Sequence, residues 1–166
     1  MITIEPPNRT ISRARVAGFL ARARKLVALG GEVHLLLADD AALRRLNKLF
    51  RGVDKTTDVL SFPAAENGTG VAGDLAISLD AAQRQAAEFG HSVQDEVHVL
   101  TLHGLLHLAG FDHETDKGEM AAKELVLRRK LALPVGLIER AKPVPAKKPP
   151  LAVAATAAPK KRILKK

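Results

Sequence analysis

A chain of 166 residues is long enough for one domain with a real core and too short for two ordinary ones, so a single active site is expected. The absence of Cys excludes disulfides and thiolate metal ligands, and with aromatics at 3% and no Trp or Tyr, Leu, Val, Ile and Ala must fill the interior. The net charge of +8 resembles a nucleic-acid signal, but residues 134–166 hold nine Lys or Arg against Glu139 alone, which leaves the body neutral.

In chain order, Ile2-Thr3-Ile4 alternates apolar with polar residues and is closed by Pro6-Pro7, which suits a short strand. Ser12 can cap a helix running to Leu29, because Val16, Phe19, Leu20, Ala23 and Val27 fall at helical spacing and Gly30-Gly31 stops it. The other face of that helix displays Arg13, Arg15, Arg22, Arg24 and Lys25. Val33 to Leu37 is a short apolar run bounded by Gly31 and Asp39-Asp40, as in a strand, and the two acids suit the start of a helix through Phe50. Asp58-Val59-Leu60-Ser61-Phe62 before Pro63 reads as a third strand. Glu66 to Gly70 is loop chemistry, and Gly73 to Ser78 reads as a fourth strand. Leu79 to Phe89 is helical and stopped by Gly90. Ser92 caps a further helix ending near Gly110, and a last helix spans about Thr115 to Leu133.

This order predicts an α+β domain over residues 1–133: a mixed sheet of about four strands packed with about five helices. At least one pair is antiparallel, since only a loop separates the third and fourth strands. Residues 134–166, dominated by Pro, Lys and Ala, are expected to form a disordered basic tail. The start lacks a basic segment followed by an apolar run, and no apolar stretch is long enough for a bilayer, so a soluble, cytoplasmic protein without membrane contact is expected.

The informative segment is His103-Gly104-Leu105-Leu106-His107-Leu108-Ala109-Gly110-Phe111-Asp112-His113. His103 and His107 are four apart, so on a helix both imidazoles project from one face a single turn apart and can meet one ion. Gly110 can take the left-handed conformation that ends a helix, turning the chain so that His113 returns toward the other two. Three neutral nitrogen ligands with a fourth position free for water is the arrangement of a catalytic zinc. The frame is that of the metzincin proteases, minus the glutamate after the first His. Here that position is Gly104, which cannot act as a general base, so peptide hydrolysis by that mechanism is disfavoured. His34, His91 and His98 show no such frame. Glu96, seven residues before His103, shares its helical face and is a candidate partner for a ligand ring. Asp58, Asp74 and Asp112 join it as candidate bases, and Asp112 also suits a turn before His113.

The histidine segment resembles the YbeY endoribonucleases, bacterial metal-dependent RNases of ribosomal RNA maturation and ribosome quality control. Two further blocks carry the resemblance: Leu46-Asn47-Lys48-Leu49-Phe50-Arg51 followed by Thr57-Asp58-Val59-Leu60-Ser61-Phe62-Pro63, and Gly73-Asp74-Leu75-Ala76-Ile77-Ser78. It covers about residues 30 to 130 and excludes the basic tail.

The resemblance implies one zinc ion per chain on His103, His107 and His113, an α+β fold with the metal helix beside the sheet, and a catalytic role for Arg51. It also implies single-stranded RNA as substrate, with action at the 3′ end of small-subunit ribosomal RNA beside a ribosomal protein partner. An arginine near the ion can bind a phosphate with its fork of donors and stabilise charge developing on it. With few aromatics, RNA recognition is expected to lean on backbone and shape rather than on bases. Two other readings compete: a metallohydrolase of peptides or small amides, and a non-enzymatic ribosome-assembly factor with a structural zinc.

Overall fold

The computed structural model describes residues 1–64 and 70–134. Apart from Pro134, the expected basic tail lies outside the described residues, as does most of the Glu66–Gly70 loop. The elements run β1 (Ile2–Ile4), α1 (Arg13–Val27), β2 (Glu32–Ala38), α2 (Asp40–Arg51), β3 (Val59–Pro63), β4 (Val71–Ser78), α3 (Leu79–Phe89), α4 (Val93–Leu108) and α5 (Glu119–Lys130). Side-chain caps start the first four helices: Ser12, Asp39, Ser78 and Ser92 each accept a backbone N–H from the first turn.

The four strands form one mixed sheet in the order β1-β2-β4-β3. β2 runs parallel to both β1 and β4, while β3 is antiparallel to β4 and forms an edge. Alternation sorts the side chains by face. Val33, Leu35, Leu37, Leu75 and Ile77 join the main core with α1, α3, α4 and α5, whereas Leu60 and Ala76 pack on Leu43 of α2 on the opposite face. The sheet therefore lies between α2 and the other four helices.

α4 is the centre of the larger layer. Of its 16 residues 13 are buried, as expected of a helix apolar on nearly every side. Any polar group it carries must then find a partner or a function. Among the described residues no helix is long and apolar enough to cross a membrane.

The last helix starts later than periodicity predicts, at Glu119 rather than about Thr115. Carboxylates take the amides that helix would need: Asp112 accepts from Glu114 N–H and from the Thr115 hydroxyl, and Asp116 accepts from Gly118 and Met120 N–H. Residues 112–118 are consequently a string of turns, and His113 is carried on it.

Candidate metal centre

α4 ends in a Schellman arrangement. Gly110 has φ 87°, its N–H donates to the His107 carbonyl, and Phe111 N–H reaches back to the Leu106 carbonyl at 3.0 Å. Phe111 packs against the core beyond the helix end. The chain reverses within these residues, and His113 comes back over the C-terminal turn. The three rings lie 4.8–5.4 Å apart between centroids, and one nitrogen from each falls within 4.8 Å of the others.

The donor set fits a divalent ion. The Nε2 atoms of His103 and His107 are 3.1 Å apart, close to the roughly 3.3 Å that separates two nitrogens on one tetrahedral zinc. Burial, and then the neighbouring His103 and His113, push His107 below the ordinary imidazole range, so it is neutral and able to ligate at pH 7. The site grades from buried His103 through half-buried His107 to exposed His113. One side of the cluster is therefore open to water.

His103 is held from behind. Its Nδ1 donates to the Glu124 carboxylate of α5 at 3.1 Å, with both side chains nearly inaccessible. That bond places the ring proton on Nδ1 and leaves the Nε2 lone pair aimed at His107, the arrangement by which outer carboxylates orient metal-binding imidazoles. Spacing along α4 pointed instead to Glu96. The structure corrects this: Glu96 lies two turns away, fully buried, and bonds to His91. Glu124 is 21 residues from His103, and only the packing of α5 on α4 brings them together.

The histidines open on a cleft of about 570 Å³ whose walls include Arg51, Thr57, Asp58, Ser61, Asp112 and Glu114. Arg51 is the last residue of α2, exposed, and reaches the cleft from the opposite face of the sheet. The turn following it is pinned. Buried Asn47 donates to the Lys55 carbonyl at 2.9 Å, and Asp54 binds Arg44 and Lys48 at 2.6 and 3.1 Å. Arg51 and Thr57 thus share one wall, as their joint block in the sequence suggests.

The four candidate bases separate. Asp58 lines the cleft, but its two oxygens accept from Val59 N–H and Gln85 Nε2, tying β3 to α3. Asp112 also lines it, held below the usual carboxylate range by Glu114 N–H and the Thr115 hydroxyl; it shapes the turn that carries His113. Asp74 accepts from His34 at 3.1 Å outside the cleft, and Glu96 is remote. Glu114 is a cleft carboxylate that the spacing argument did not single out.

Gly104 faces the sheet rather than the cleft. A Cβ there would come within 2.8 Å of Leu75 Cδ2, and the Ser61 hydroxyl donates to the Gly104 carbonyl at 3.3 Å. The helix needs this glycine to approach β3 and β4. A glutamate at this position would enter the core, so the protease base is absent for want of space as well as by residue type.

Comparison with known proteins agrees with this architecture. The family model described as Endoribonuclease YbeY matches residues 9–132. A Koribacter versatilis protein named Endoribonuclease YbeY is 51% identical over 140 residues, covering 84% of this chain and 91% of its own length. A Solibacter usitatus protein of the same name is 50% identical over 139 residues, with 84% and 92% covered. The solution structure of TM1509 from Thermotoga maritima matches 89% of this chain and all of its own, with TM-score 0.55 and 25% identity. With its histidine cluster at the end of the central helix and a family match spanning the domain, the chain belongs to the YbeY endoribonuclease family.

Proposed function

We propose that this protein is a zinc-dependent endoribonuclease that cuts single-stranded RNA during maturation of the 3′ end of small-subunit ribosomal RNA and in ribosome quality control. It would act in the cytoplasm, beside a ribosomal protein. The observation that carries the reading is the convergence of three imidazoles in a cleft that Arg51 also lines. Three nitrogen donors with an open side suit zinc, for which His103, His107 and His113 are the proposed ligands. When bound, the ion would supply Lewis acidity toward a phosphate oxygen or a water.

The chain's own residues would do the rest. Arg51 presents a planar fork of donors suited to two phosphate oxygens, and in a partly closed cleft it would stabilise charge that builds during cleavage. Glu124 holds His103 in one tautomer. Asp112, through its turn, keeps His113 over the helix end. The peptidase alternative lacks a base at Gly104 and any room for one.

The test combines elemental analysis with cleavage of a single-stranded RNA, with and without chelator, for wild type and a His103→Ala, His107→Ala variant prepared alongside it. The expected result is about one zinc per wild-type chain, chelator-sensitive cutting, and neither metal nor cutting in the variant. Undiminished cutting by the variant overturns the reading. Arg51→Ala should keep its metal and lose cleavage by about 10²- to 10³-fold. RNA binding with no turnover under any metal would instead favour a structural zinc in an assembly factor.

A further inference from the structure

The chain has five Phe and no Trp or Tyr. Two of the five stand together. Phe50 on the last turn of α2 and Phe62 on β3 have ring centroids 5.0 Å apart, inclined at 59°. Phe62 packs into the smaller core, which anchors it, while Phe50 is 62% exposed. They line a groove of about 680 Å³ on the α2 face of the sheet, with Leu46 and Ala76 at its walls. Arg51, Ser61 and Pro63 line both this groove and the metal cleft, so the two are continuous across the edge strand.

An exposed phenylalanine alone means little. This one is immediately followed by Arg51, the one cation among the groove's lining residues, where Asp74 is the one acid; Arg44 and Lys48 of the same helix are held by Asp54. Exposed aromatic faces interleaved with arginine and lysine are the means by which proteins hold unpaired nucleotides, with rings stacking on bases and cations following the backbone. An apolar protein partner would not need that charge.

We infer that Phe50, supported by Phe62, is a stacking shelf for one base of a single-stranded RNA, a base next to the phosphate that Arg51 engages. The inference rests on the RNA-cleaving reading of the cleft. It gives the substrate a path: backbone past the histidines and Arg51, and the neighbouring base turned over the strand edge into the groove. It would add one base contact to recognition otherwise expected to lean on backbone and shape.

The test is a cycle between protein and RNA, read as binding anisotropy of a short single-stranded oligoribonucleotide and as KM against kcat for its cleavage. Phe50→Ala should weaken binding on the order of tenfold and raise KM in proportion, with kcat nearly unchanged; Phe50→Tyr and Phe50→Trp should restore both. Replacing single nucleotides with abasic ones should cost wild type the same factor at one position, and cost Phe50→Ala nothing more at that position. Unchanged thermal unfolding of Phe50→Ala excludes a folding defect, since the side chain is exposed. Binding equal to wild type in Phe50→Ala, with or without loss of association to small ribosomal subunits, overturns the shelf; such a loss would assign the surface to a protein. Cleavage that needs His103 but is indifferent to Phe50 removes the shelf and leaves the nuclease. Binding coupled to Phe50 in a protein that cuts nothing removes the nuclease and leaves the shelf.

Discussion

The two ends of α4 carry buried histidines in opposite circumstances. Near the N-terminus, His98 is 7% exposed and stacks on Phe19 with centroids 4.3 Å apart; its Nε2 accepts from Gln94, whose own carbonyl oxygen accepts from Ser12 N–H. His91 is likewise taken up by Glu96. These contacts close on neighbours, and the result is a joint between α1 and α4. At the C-terminus, Glu124 occupies only the far nitrogen of His103 and leaves the near one converging with His107 and His113. The difference teaches that an imidazole on an apolar helix is left able to ligate when its partner sits behind it, and is closed off as a structural group when the partner sits in front.

The largest effect expected from breaking this contrast is on metal content. His107→Ala should lower zinc affinity by more than the 10- to 100-fold typical of losing an outer partner, whereas His98→Phe should leave zinc stoichiometry unchanged; elemental analysis after gel filtration distinguishes them. Next comes the contact that seats the metal end against the sheet. Gly104→Glu should cost at least about 3 kcal/mol of folding stability in urea titration, because it forces a carboxylate between α4 and Leu75, and it should confer no peptidase activity.

Removing the rear support should be milder. Glu124→Ala is expected to weaken zinc binding 10- to 100-fold in chelator competition, with Glu124→Gln recovering part of it because the amide oxygen still accepts from Nδ1. If Glu124→Ala binds zinc as wild type does, the contrast between the two ends loses its physical basis.

The last effect belongs to the packed joint, is absent at neutral pH, and is read as pH falls. Burial pushes His98 down to about 4 in the folded chain, against an ordinary value of 6.5. Below 6.5 the unfolded chain takes up a proton that the folded chain refuses, so stability is complete above that pH and declines as pH falls toward 4. The loss should approach at most about 3 kcal/mol, and urea midpoints of chelator-treated wild type and His98→Phe should diverge in slope across that window. Parallel slopes would mean that protonation of His98 is not resisted.

Much of the site was legible because its chemistry is local. The four-residue spacing of His103 and His107, and a glycine positioned to reverse the chain before His113, are properties of one segment. The neighbouring helix and strand assignments followed from periodicity, and the antiparallel pair from a short connection. What could not be read depended on distant surfaces meeting. Glu124 becomes a partner of His103 only through the docking of α5, and spacing within α4 favoured Glu96. Gly104 was legible as a missing base, but its role in letting the helix touch Leu75 needed the sheet. Phe50 and Phe62 are 12 residues apart on different elements, so their pairing carried no periodic signal. The late start of α5 reflects carboxylates competing for amides, which helical periodicity does not register.

The three histidines fall within eleven consecutive residues, so an ion joining them closes a very small ring of chain. By loop closure alone such a bridge is worth somewhat under about 3 kcal/mol, less than a long-range cross-link because that gain grows slowly with the length enclosed. The fold has its own core and its own caps to stand on. The ring ties together one helix end and its following turn, leaving the sheet and the other helices to that core, and on the proposed function the supply of metal would set how many folded molecules are able to cut.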